Sequence, residues 1–73
     1  MPVQWCVERQ PDETFLMWIE GTEPRITARN PEELKRQCYA NSIVDDLYED
    51  VCKQLEKGDR ATIKVLIFKF AQI

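Results

Sequence analysis

Apolar positions alternate along the first stretch of the chain: Val3, Trp5 and Val7 fall on one face, Gln4, Cys6 and Glu8 on the other. A period of two is that of a half-buried strand over Val3–Arg9. QPDET follows as a turn cluster, because Pro11 presets φ and Asp12 can bond its own backbone. Phe15–Glu20 then alternates again and pairs back as a hairpin, with Phe15, Met17 and Ile19 opposed to Leu16, Trp18 and Glu20. Both faces of this second strand are apolar. GTEP breaks it, and RITA predicts a short third strand.

The pattern changes at RNPEELKRQ. Asn30 is a good N-cap, Pro31 sits at the first helical position, and Glu32 and Glu33 fall in the first turn, where the helix dipole favours acids. Lys53 and Lys57 approach the other end, and Gly58 is the natural residue to stop it. Between these signals Leu34, Ala40, Val44, Leu47, Tyr48, Val51, Cys52 and Leu55 share one stripe, with Asp46, Glu49, Asp50, Lys53 and Lys57 opposite. The expectation is one long helix, kinked or broken at Asn41-Ser42, since these are poor interior residues and Ser42-x-x-Asp45 resembles a second capping signal. Tyr39 and Ile43 point off the stripe. In an unbroken helix they flank the acids as a second contact surface; a kink at Asn41 turns them into the core instead.

The chain closes on IKVLIFKFAQI. Its length and apolarity predict a central strand lying beside the first one. Ile63, Val65 and Ile67 then go under the helix with Val3, Trp5, Val7, Phe15, Met17 and Ile19. Lys64, Leu66, Phe68 and Phe70 face the other way, beside Leu16 and Trp18. One helix covers one face, so an apolar patch of several hundred Å² is left outward, a size that marks interaction surfaces. Two intramolecular alternatives stay open: a bulge that swaps the strand's parity, or the loop GTEPRITARN folding across the second face. The fold class is α+β, a three- to four-stranded sheet of order β-β-(β)-α-β with the helix packed on one face, as a single domain over residues 1–73.

Composition narrows the function classes. The 73 residues carry a net charge of −3 and no histidine. An acidic chain without a basic stripe argues against direct nucleic-acid binding. The end of the chain is locally basic, with Arg60, Lys64 and Lys69 against Asp59. No apolar run reaches the roughly 18 residues of a membrane span and no signal pattern opens the chain, so a cytoplasmic setting is expected. Cys6, Cys38 and Cys52 form no C-x-x-C, and on one straight helix Cys38 and Cys52 lie roughly 21 Å apart, too far for a disulfide. They read as small buried hydrophobes in a reducing compartment.

Catalytic chemistry is not found. Without histidine the usual general base and metal ligand is missing, Ser42 has no base partner, and a cysteine nucleophile lacks its activator. Gly21 and Gly58 are the only glycines, so there is no phosphate loop. Asp45, Asp46, Glu49 and Asp50 line one helix flank, but a divalent-cation site would add loop carbonyls and a tight glycine turn. They read as solvated surface, or as an acidic recognition face. No catalytic, cofactor or metal residues are assigned, and the chain is not expected to be an enzyme.

The order strand–PDET–strand–Gly–TARNPEELKRQ–helix–strand resembles the partial RNase H-type fold of HicB-like antitoxins, on Gly21, Ile26–Ala28, Asn30, Glu32, Glu33 and Leu34. It is similar, too, to the small phage inhibitor of bacterial RNA polymerase. The chain departs from the antitoxins after the turn, where their proline-rich segment is missing, and it carries no DNA-binding domain after the last strand. The resemblance implies a non-catalytic protein that silences a macromolecular target.

The leading expectation is thus an inhibitor-like module that binds a protein through Leu16, Trp18, Lys64, Leu66, Phe68 and Phe70, rimmed by Lys69 and Glu20. Three alternatives accompany it. One is a self-associating domain whose partner is its own copy, as a two-fold dimer. Another is an acidic nucleic-acid mimic using Asp45, Asp46, Glu49 and Asp50, with Tyr39 and Ile43 beside these acids as the second candidate contact. The last is a designed scaffold without biological role.

Overall fold

A computed structural model of the chain describes residues 2–23 and 25–66. Strands β1 (Pro2–Arg9), β2 (Phe15–Ile19) and β3 (Ile26–Ala28) are followed by helices α1 (Pro31–Ala40) and α2 (Asp46–Lys57) and by strand β4 (Arg60–Leu66). The strands form one antiparallel sheet in the order β3-β2-β1-β4. The α+β class is as the alternation predicts, and RITA does supply a third strand. Parity holds as well: Trp5, Val7, Phe15, Met17, Ile63 and Val65 are buried together under the helices, with Leu34, Cys38, Val51 and Leu55 facing them. Ile67, Phe68, Lys69 and Phe70 lie outside the described residues.

Local chemistry sets the connections. Between β1 and β2, Glu13 N–H donates to the Gln10 carbonyl at 2.9 Å and Gln10 N–H to that of Thr14 at 2.7 Å. This is a three-residue hairpin loop with Glu13 in the left-handed region, at φ +70°. The Asp12 carboxylate accepts from the Thr14 hydroxyl at 2.7 Å and from its N–H at 3.1 Å, and these bonds hold Asp12 below its ordinary pKa. At the start of α1 the Asn30 Oδ1 accepts from Glu33 N–H at 2.9 Å, while Glu33 reaches back to accept from Arg29 N–H at 2.7 Å.

The helix is two helices. Ile43 N–H donates to the Cys38 carbonyl at 2.8 Å and Ser42 N–H to that of Tyr39 at 3.3 Å, with Ser42 at φ +71°. These are the paired bonds of a Schellman stop, which normally places glycine where Ser42 stands. Its apolar clasp is present too, since Cys38 and Ile43 are both fully buried. Asp45, at φ +49°, then starts α2 as its N-cap without a side-chain cap bond, so the break falls where the second capping signal lies but Ser42 belongs to the α1 stop and caps nothing. Of the two alternatives for Ile43 the core one applies, and the reading of Ile43 as a surface contact is corrected. Ser42→Gly relieves the left-handed strain at the stop. We expect it to stabilise the protein by about 0.5–1 kcal/mol, at about 4–8 °C of thermal midpoint per kcal/mol in a domain this small. A lowered midpoint would refute this account of the stop.

The break also corrects the cysteine geometry. With α2 packed against α1, the Cys52 thiol is near enough to oppose ionisation of Cys38. Burial is the larger cause, and together they push Cys38 up to about 12. The separation along one straight axis no longer applies, although all three thiols are free.

A second correction concerns the last strand. It does lie beside β1, from Val7 opposite Ala61 to Pro2 opposite Leu66, but at the edge of the sheet and not in its centre. β1 has two sides; the hairpin gives one to β2, and β3 extends the sheet beyond β2. Nothing among the described residues pairs with the outer side of β4 as a strand. What lets so apolar a strand sit at an edge is α2, which packs along it and covers Ile63 and Val65.

Candidate interaction face of the sheet

The alternation that sends odd-numbered residues of β1 under the helices sends even-numbered ones to the opposite face. Pairing arranges these in rows: Thr62, Cys6 and Trp18 in one; Lys64 beside Gln4 in the next; Arg60, Glu8, Leu16 and Thr27 in a third. Among the described residues no helix covers this face. Its centre is nonetheless closed, because Trp18 is only 7% exposed and Cys6 beside it 5%.

The cover is a pair of arginines. The guanidinium carbon of Arg25 stands 4.2 Å from the centroid of the Trp18 ring, and that of Arg60 stands 5.3 Å from it. Arg25 enters from the loop before β3 and Arg60 from the first position of β4, one from each side of the sheet. A guanidinium over an indole is attracted by the ring's negative face and, being weakly hydrated, lies flat on it. Among the described residues neither guanidinium holds a carboxylate; the ion pairs there are Arg9–Asp59 and Arg29–Glu33. Both side chains are exposed.

Around the stack lies a shallow depression of about 480 Å³, lined by Gln4, Cys6, Glu20, Gly21, Thr22 and Thr62 as well as Trp18 and the arginines. Gln4 Nε2 donates to Glu20 Oε1 at 2.6 Å, which fixes the acid at the rim. Gly21, at φ +89°, turns the chain there, and Thr22 donates to the Ile19 carbonyl through its N–H at 3.0 Å and its hydroxyl at 2.6 Å. Burial raises the Cys6 pKa and Glu20 adds to it, against Arg60 and Arg25, which pull the other way. The thiol stays protonated at neutral pH, so Cys6 serves this face as an apolar floor and not as a nucleophile.

The expected patch is thus only partly assembled. Leu16 is half-buried and Lys64 exposed on this face, and Leu66 holds the register position opposite Pro2. Trp18, expected as an open anchor, is buried under the arginines. Part of the intramolecular alternative is realised here, since Arg25 belongs to the loop GTEPRITARN. Phe68 and Phe70 are outside the described residues. Sequence reasoning missed Arg25 and Arg60. Their signal was available as cations at or just before strand starts, but only the β3-β2-β1-β4 order shows that both reach Trp18.

The second candidate surface separates. Asp45, Asp46, Glu49 and Asp50 are exposed around the first turns of α2. Ile43 is buried away from them. Tyr39, 40% exposed, meets Tyr48 edge to face at 6.0 Å, with the Lys35 ammonium 5.6 Å from its ring. Its hydroxyl accepts from Asp45 N–H at 3.3 Å, tying α1 to the start of α2. Among the described residues no group of acids and cysteines has the arrangement to hold a metal ion, and no helix is long and apolar enough to cross a membrane. Comparison with protein-family models, with curated proteins and with solved structures finds no match to this chain.

Proposed function

We propose that this chain is a small non-catalytic binding module, cytoplasmic and inhibitor-like, that recognises a protein through the helix-free face of its sheet. The observation that carries the reading is the Arg25–Trp18–Arg60 stack, whose guanidiniums hold no carboxylate among the described residues. Arginine and tryptophan are the side chains most enriched at binding hot spots, and a guanidinium set on a ring is already ordered before its partner arrives. The chemistry it matches is a carboxylate on a protein surface, taken by two parallel N–H···O bonds. Single-stranded nucleic acid fits less well, because base stacking needs an open aromatic face and both guanidiniums occupy that of Trp18.

The test is the paired charge reversal Arg25→Glu and Arg60→Glu. Both side chains are exposed but together cover Trp18, so the variant is expected to fold with reduced stability, and circular dichroism would verify that it is folded where binding is measured. It should bind the partner captured by the wild-type chain at least about 30-fold more weakly, a loss of about 2 kcal/mol. Undiminished binding by the folded variant would refute the reading. Because Asp46, Glu49 and Asp50 are exposed as one acidic flank, a second reading is an acidic mimic. Reversal of Asp46 and Asp50 to lysine would abolish binding under that reading and leave it unchanged under ours.

A further inference from the structure

Among the described residues, one side chain bonds the outer backbone edge of β4. Arg9 N–H donates to the Asp59 carbonyl at 2.8 Å, which fixes the phase of the β1–β4 ladder. Ala61, Ile63 and Val65 thereby bond β1, while Thr62 and Lys64 direct their backbone groups outward. At Thr62 this outward pair is occupied. Gln54 Nε2 donates to the Thr62 carbonyl at 2.9 Å, and Gln54 Oε1 accepts from Thr62 N–H at 3.0 Å.

A residue in a neighbouring antiparallel strand exchanges the same two bonds with its partner. The carboxamide of Gln54 has the donor and acceptor of one peptide group and supplies both from the third turn of α2. An unpaired strand edge is a template for another chain, and the strand always at hand to meet it is β4 of a second copy. Two β4 strands paired about a two-fold axis bring outward residues of each copy together. In the register that sets Thr62 against Thr62, Arg60 stands opposite Lys64 of the other copy, and like charges repel. In the next register Thr62 pairs with Lys64 and this repulsion is relieved. Both registers use the Thr62 backbone groups.

We propose that Gln54 is the residue that keeps the β4 edge from pairing with a second copy of this chain. The two bonds at Thr62 withdraw from the edge the site that a second β4 needs. Lys64, exposed one outward position further on, deters a strand by charge but leaves its N–H and C=O free among the described residues.

Gln54→Ala tests this, with alanine chosen because it is the strongest helix former. Sedimentation of the full chain from micromolar to millimolar concentration should give a monomer for the wild type and a mass approaching twice that for the variant. The Thr62 amide should exchange with solvent at least about 10-fold faster in the dilute variant than in the wild type, since the Gln54 oxygen that accepts from it is gone. Lys64→Pro added to Gln54→Ala removes an outward N–H and should restore the monomer. If Gln54→Ala fails to fold, Gln54→Met keeps an unbranched stem of similar length without the carboxamide and carries the same expectations. A folded Gln54 variant that stays monomeric to millimolar concentration would overturn the proposal. So would a wild type already dimerised through β4, or association that Lys64→Pro leaves intact.

Discussion

Ile43→Asp is expected to unfold this protein, and Tyr39→Asp to leave it folded. The two positions are four apart and share a face in an unbroken helix, so the contrast tests the break itself. Ile43 is fully buried as the apolar clasp of the α1 stop, among the side chains of the single core. A carboxylate there would lose its hydration without a partner, at a cost of several kcal/mol, with about 2–5 kcal/mol more for the lost isoleucine. A domain of this length is stable by about 4–11 kcal/mol in all. The balance leaves little or no folded protein at neutral pH, seen as loss of the sharp amide spectrum and of the cooperative melt. Tyr39→Asp forfeits the contact with Tyr48 and the Lys35 ammonium, about 1–2 kcal/mol. A cooperative Ile43→Asp melt near the wild-type midpoint would place Ile43 on the surface and restore the continuous helix.

The second large effect is expected on the opposite side of the sheet. Trp18→Ala should cost about 3–5 kcal/mol in urea unfolding, the range of a core aromatic, even though no helix lies over it. The reason is the cover supplied by Arg25 and Arg60, which removes the indole from water as a helix would. Trp18→Phe keeps a ring for them and should recover most of the loss. Removing either guanidinium alone should cost only about 0.5–1 kcal/mol, because the other still covers its side and each works at the surface. If Trp18→Ala costs less than either arginine, the stack contributes nothing and the face is a mere polar surface.

Both effects rest on parts of the fold that the sequence discloses unequally. The two faces of each strand were legible from Val3, Trp5 and Val7, from Phe15, Met17 and Ile19, and from Ile63 and Val65, because a buried face forces a period of two. The α1 start was legible because Asn30, Pro31 and Glu33 act within one turn. What was not legible depends on partners remote in the chain. The α1 stop turns on whether burying Ile43 outweighs a left-handed Ser42, and that comparison needs the sheet already in place. The edge position of β4 turns on which side of β1 the hairpin has filled. Arg25 and Arg60 reach one ring only through the strand order, and Gln54 looks like an ordinary polar helix residue until Thr62 is set beside it.

The strand order also governs when this protein can exist. β1 is a central strand whose two neighbours arrive at opposite times: β2 is made directly after it, and β4 is among the last of the described residues to be made. During synthesis the early hairpin therefore waits with one side of β1 unpaired and with Trp5 and Val7 lacking most of their cover. Closing it requires a contact such as Val3 with Val65, which spans nearly the whole chain. Contacts of that separation are the slow ones in folding, since the loop entropy is lost before the ladder compensates. Cooperative folding on the ribosome is thus postponed until Arg60–Leu66 has left the exit tunnel, and a chain stalled at α2 holds an unfinished sheet.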